Sequence, residues 1–187
     1  MGKLLAIDGS TKATGWSIYD IETKELLEYG VFKQDASEEK DTRRRIIYMI
    51  NGIDSVLNSH NDVVEIFMED VPPTVQNAVT VKMLSILQGG VIGLSMKYKI
   101  SIDIDNFVLP NIWHSDFDIL KSKGDLKEQS VNLANELLGT HFIYKSKSSK
   151  FNEDDISDAV LIGYWRLHKD ELREKKAPKK AVQRKKR

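Results

Sequence analysis

Two periods of apolar residues alternate along the chain and divide it into elements. Lys3-Leu4-Leu5-Ala6-Ile7-Asp8 is a short, nearly continuous apolar run that ends on a carboxylate, breaks at Gly9 and resumes after Gly15 as Trp16-Ser17-Ile18-Tyr19-Asp20. That pattern predicts a hairpin led by a buried strand. After a turn at Ile21–Lys24, residues 25–32 alternate around Leu26, Leu27, Tyr29 and Val31, giving a third strand and an antiparallel meander. The period then lengthens. Ile46, Ile50, Ile53 and Leu57 share a helical face with Met49 and Val56, with Ser37 as the expected cap and Glu38, Glu39 and Asp41 in the first turn. Arg43-Arg44-Arg45 falls on the solvated side of that helix.

Val63–Val71 reads as a fourth, buried strand, again ending in acid at Glu69-Asp70 before Pro72-Pro73 stops it. Strand side chains alternate, so only one of these two acids can share a face with Asp8. A second helix is expected from Gln76 or Asn77 to Tyr98; its small residues Ser85, Gly89, Gly90 and Gly93 suit close packing on the sheet or against another subunit. Residues 100–107 alternate as a fifth strand, and Pro110 breaks the chain before Trp113. Asp125 caps a further helix with Val131, Ala134, Leu137 and Leu138 as its stripe and Gly139 at its end. A basic, serine-rich loop, Tyr144–Phe151, leads to Asn152, the expected cap of the last helix.

With 187 residues and 41% apolar content the chain suits one domain with a full core, and no linker divides it. No apolar run of membrane-spanning length is expected, nor a signal-peptide segment, so the reading is a protein of the cytoplasm with no membrane partner. Cysteine is absent, and the four histidines stand at no chelating spacing. A metal would therefore be held by oxygen. The zero net charge hides a division: residues 175–187 hold eight Lys or Arg and no acid, leaving 20 of the 28 basic residues against 28 acidic ones, a balance of −8. Residues 1–170 are the expected folded domain and 171–187 a basic, disordered tail suited to a polyanion. An acidic body repels DNA unless its acids lie away from the contact surface or are neutralised by cations.

The acids in apolar settings carry the chemistry. Asp8 ends a buried strand; one ordinary role for it is to accept N–H groups of the Gly9-Ser10-Thr11 turn. In the last helix Asp155 and Asp158 project within about 60° of each other and border the apolar stripe of Ile156, Ala159, Val160 and Gly163. Glu153, Asp154 and Asp155 also suit a helix N-terminus, but Asp158 lies beyond the first turn. Asp154 and Asp158 are likewise a facing pair, so spacing alone leaves Asp154 and Asp155 open.

The combination of Asp8 in LLAIDGSTKATGWSI, Glu69 in IFMEDV, and Asp155 with Asp158 in DDISDAV resembles the four-acid pattern of RuvC-type Holliday junction resolvases, nucleases of RNase H-like fold. The resemblance extends to about Leu167, takes in Asn77-Ala78 through Gly90-Val91 and Lys127-Glu128-Gln129, and suits a bacteriophage-encoded member. It implies an α/β fold with a central five-stranded mixed sheet, three antiparallel then two parallel strands, and helices on both faces. It also implies a homodimer that cuts branched DNA, four-way junctions above all, leaving 5′-phosphate and 3′-hydroxyl ends. Asp8, Glu69, Asp155 and Asp158 would hold two Mg²⁺ or Mn²⁺ ions, with Lys127 steadying transition-state charge. Lys12, Asn77, Lys121, Lys123 and Lys127 would contact DNA. The chain departs from the family at Pro72-Pro73, where a base-stacking aromatic is common, and at Leu109-Pro110-Asn111, where a second lysine is common.

Two other classes fit part of the pattern. An actin-like or sugar-kinase ATPase also has a phosphate loop after a strand ending in Asp-Gly, but needs a second such domain. A catalytically weak branched-DNA-binding protein on the same scaffold would not need all four acids.

Overall fold

A computed structural model describes residues 2–35 and 37–184. Five strands, β1 (Lys3–Gly9), β2 (Ala13–Asp20), β3 (Leu26–Lys33), β4 (Val63–Glu69) and β5 (Phe107–Val108), form one sheet in the order β3-β2-β1-β4-β5. β1, β2 and β3 pair antiparallel, while β4 pairs parallel with β1 and β5 parallel with β4. Helices α1 (Thr42–Ser59) and α2 (Ala78–Tyr98) cover one face; α3 (Pro110–Asp116), α4 (Leu126–Leu138) and α5 (Asp154–Arg184) cover the other. This is the mixed, two-sided α/β sheet expected from the sequence.

Strand parity divides the core in two. Leu5, Ile7, Trp16, Ile18, Ile66 and Met68 meet α1 and α2, while Leu4, Ala6, Tyr19, Phe67 and Val108 meet the other three helices. β1 and β2 are buried on both faces, which explains why β1 reads as a nearly continuous apolar run.

Several local expectations change. The fifth strand shrinks to two residues because Ile104–Asn106 form a 3₁₀ turn closed by side chains. Asp103 Oδ1 accepts the Ile104 N–H at 2.6 Å, Asn106 Oδ1 accepts the Asp103 N–H at 2.8 Å, and Asn106 Nδ2 donates to the Ile66 carbonyl at 2.9 Å. These side chains give the backbone an alternative to a ladder, and Ile104 is left 80% exposed. α1 is capped by Asp41, which accepts the Arg43 N–H at 2.9 Å, and not by Ser37. Arg45 leaves the solvated side expected of it: it is 6% exposed, and its guanidinium donates to the carbonyls of Thr11 and Glu39 and to the Thr42 hydroxyl. Asn152 makes no capping bond to α5 among the described residues; it accepts the Lys145 N–H and donates to the Ser146 carbonyl, closing the loop before the helix.

α5 continues to Arg184, past the expected boundary at 170. Leu172 packs against the core, and Arg173 bonds Asp116 at 3.0 Å. Residues 185–187 lie outside the described residues. α2, 21 residues long with an 18-residue window of mean hydropathy 1.4, is long and apolar enough to cross a membrane, contrary to the expectation of no such run. Met83, Leu87, Val91 and Leu94 on one side of α2 instead enter the sheet core.

Candidate active site

The chain puts Asp8 and Glu69 side by side for reasons of register. Ile7 pairs with Met68 across the parallel β1–β4 ladder, and one step further along lie Asp8 and Glu69. Both share the parity of Ala6 and Phe67, so both face α5. Asp70 points to the opposite face, where its Oδ1 accepts from Gln88 Nε2 at 3.1 Å and from the Val71 N–H at 2.8 Å. Structure thus supplies the face assignment that parity alone could not.

The N-terminal end of α5 reaches these two acids because β2 has no side chain at the crossing. Asp8 pairs with Gly15 across β1–β2, and a Cβ placed on Gly15 would lie 1.8 Å from the backbone oxygen of Asp155. Only glycine fits at that point. Two further contacts hold the helix down: Ser17 Oγ donates to the Ala159 carbonyl at 2.9 Å and Tyr19 Oη to the Val160 carbonyl at 2.8 Å. The ordinary turn role for Asp8 is taken by Ser10, whose Oγ accepts the Lys12 and Ala13 N–H groups. Among the described residues no donor reaches the carboxylates of Asp8 or Asp155.

Crowding governs the charges. Burial, then Glu69, Asp158 and Asp155, hold the Asp8 carboxyl well above the ordinary carboxylate range, with Lys127 opposing. Asp158 is raised in the same way by burial, Glu69 and Asp154, while Ser130 and Lys127 pull it down. The Ser130 hydroxyl approaches Asp158 without closing a well-formed hydrogen bond, and Asp158 Oδ1 remains buried and unpartnered. Burial pushes Glu69 up to about 7, against the lowering effect of Trp113, whose Nε1 donates to Glu69 Oε2 at 2.8 Å. Asp155 is raised by burial and Asp154 and eased by Lys127 and Lys33. These effects place Asp8, Glu69, Asp155 and Asp158 within one electrostatic neighbourhood.

Lys127, in the first turn of α4, joins it from the side. It pairs with the buried carboxylate of Asp154, so Asp154 is the partner of the lysine while Asp155 acts on Asp8. Burial alone would lower Lys127; the Asp154 hydrogen bond and the acids around it raise it instead. The remaining expected DNA contacts are dispersed. Lys12 is exposed on the β1–β2 turn, and Asn77 is committed as the α2 cap, accepting from Val79 and Thr80 N–H. Lys121 is exposed in a 3₁₀ turn before α4, and Lys123 in the same turn pairs with Asp118. Sequence reasoning missed Trp113, Ser130 and Gly15 as parts of the site. Only Gly15 carried a signal, a glycine inside an otherwise apolar strand.

The donor set is hard oxygen, as Mg²⁺ or Mn²⁺ prefers. An orphaned buried Asp158 oxygen and two carboxylates without donors are groups that a divalent cation would satisfy. As the side chains lie, no three acids or histidines among the described residues form a ready metal cage.

No protein-family model matches the chain, and no curated protein does. Solved structures do. Thermus thermophilus RuvC in complex with a Holliday junction substrate aligns with a TM-score of 0.64 at 13% identity, covering 90% of this chain and 96% of that one. A second T. thermophilus RuvC structure aligns at 0.59 and 16% identity, with the same coverage. The fold is RNase H-like. The yeast mitochondrial Holliday junction resolvase Ydc2 aligns at 0.51 with 17% identity, over 97% of this chain and 86% of that one. These neighbours come from a bacterium and yeast mitochondria and lend a phage origin no support.

Proposed function

We propose that this protein is a divalent-metal-dependent endonuclease that cuts branched DNA, with the four-way junction as its principal substrate and two cations per site. The observation that carries this reading is the gathering of Asp8 and Glu69, neighbours by the β1–β4 register, under the N-terminal end of α5, which seats Asp155 over Gly15 and brings Asp158 and Lys127 alongside. Support comes from the RNase H-like fold shared with RuvC, one structure of which holds a Holliday junction. Divalent cations at these carboxylates would activate water and neutralise charge on a scissile phosphate. The chain's own residues then have distinct tasks. Asp8, Glu69, Asp155 and Asp158 hold the cations. Trp113 fixes the Glu69 carboxylate through its indole N–H, and Asp154 keeps Lys127 charged beside the acids. Lys127 offers positive charge to the phosphate as the attacking and leaving oxygens share its negative charge.

Two opposed cuts in a nearly two-fold junction call for a symmetric pair of sites, so the working unit is a homodimer. The outer face of α2, with Val79, Ile86 and Met96 exposed, is the candidate contact. The test is incubation of end-labelled four-way, three-way and linear DNA with Mg²⁺, Mn²⁺ or EDTA, reading product positions on a gel. Paired nicks near the branch that need the metal support the reading. A protein that binds junctions and never cuts them would be a DNA-binding module on a nuclease scaffold.

A further inference from the structure

The loop between α4 and α5 is anchored at its neck and exposed at its tip. Asn152 bonds the Lys145 N–H and the Ser146 carbonyl at 3.0 and 2.8 Å, and Glu153 bonds the Ile143 N–H through Oε2 at 2.8 Å. Held this way, the loop presents Phe151 to solvent at 71% exposure, with Lys145 Nζ 4.8 Å from the centre of its ring. One exposed aromatic on a surface is unremarkable in itself. Its position is not, because Phe151 and Lys150 line a cleft of about 210 Å³ with Lys33 at the end of β3 and with Asp155, one of the site acids. The cleft therefore runs from the acid cluster toward a basic rim.

We infer that this cleft is a subsite for the DNA strand next to the cut, with Phe151 stacking on an unpaired nucleobase and Lys33 and Lys150 receiving the adjoining phosphates. An aromatic face flanked by cations is the pairing that holds single strands without reading their sequence. Base pairs at a branch open and unstack at lower cost than those inside an intact duplex, so the subsite favours branched over linear DNA. The lysines also answer a problem set by charge: a body with a balance of −8 needs local cations where a strand passes its acids. Lys150 is 3.8 Å from Asp35 but remains largely exposed, and this surface pair exchanges readily for a phosphate.

This inference rests on the nuclease reading, and the experiment separates the two. Four-way junctions carrying 2-aminopurine at single positions around the branch are titrated in EDTA with Asp8→Asn protein, and with the same protein bearing Phe151→Ala, Phe151→Trp or Lys33→Ala/Lys150→Ala. The expected result is a fluorescence change at one or two adjacent positions that Phe151→Ala abolishes and Phe151→Trp retains, with junction affinity about 5- to 100-fold weaker for Phe151→Ala. The double lysine variant should flatten the salt dependence of binding by about two phosphate contacts. Circular dichroism confirms that each variant is folded. Equal fluorescence and equal affinity for Phe151→Ala and its parent would overturn the subsite while leaving the nuclease reading intact. Failure of the parent to bind any branched DNA would overturn both.

Discussion

At the scale of single residues, the site is a set of carboxylates held near one another at an electrostatic cost. Asp8→Asn should lower cleavage by at least ~10²-fold while leaving junction affinity within about threefold, measured with labelled junctions by gel and by anisotropy. Loss of binding with retained cutting would remove Asp8 from its assigned role. Glu69 gives a pH prediction with a definite sign. Its carboxyl sits at about 7 in the fold against 4.5 in the unfolded chain, so between those values the native state binds more protons. Metal-free stability is therefore held below about pH 4.5 and falls as pH rises toward 7, by about 1–3 kcal/mol, and Glu69→Gln should flatten the slope in urea melts with EDTA. Trp113→Phe removes the hydrogen bond that opposes this shift. It should raise the Glu69 pKa and cut the rate by about tenfold at limiting metal.

At the scale of elements, the sequence made the order of strands and helices legible because their periods are clear and their breaks chemical. β1, β4, α2 and α4 lie close to where the apolar runs, Pro72-Pro73 and the Asn77 and Asp125 caps place them. What stayed hidden depends on hydrogen bonds that side chains make to the backbone. Arg45 reads as a solvated charge until Thr11 and Glu39 supply carbonyls, and residues 100–106 read as a strand until Asp103 and Asn106 capture the backbone. Of the candidate site, the acids could be picked from sequence, but the face of Glu69 and the division of labour between Asp154 and Asp155 needed register and Lys127. Gly15 shows how one element depends on another. Gly15→Ala drives a methyl into the Asp155 backbone, so it should cost about 2–4 kcal/mol in urea denaturation and reduce cutting in the fraction that remains folded.

At the scale of the whole molecule, two faces of one sheet carry different duties. The face beneath α3, α4 and α5 carries the acids, while the opposite layer ends in the exposed apolar side of α2, where Val79 is 65% and Met96 75% exposed. Gly89 and Gly93 on this helix have nothing within 4 Å of where a Cβ would stand, leaving room for a neighbouring backbone. If that side joins two copies, Ile86→Glu with Met96→Glu should give a monomer in sedimentation velocity and convert paired cuts into single nicks, with the sheet fold unchanged by circular dichroism.

The two hydroxyls of β2 that grip α5 have a consequence of their own. Ser17 and Tyr19 seize consecutive carbonyls, those of Ala159 and Val160, and so fix the rotational setting of the helix as a key fixes a shaft. A helix turns 100° per residue, so slipping by a single position would swing Asp155 and Asp158 out of line with Asp8. Insertions beyond Val160 are therefore tolerable to the chemistry in a way that one extra residue between Asp155 and Ala159 is not.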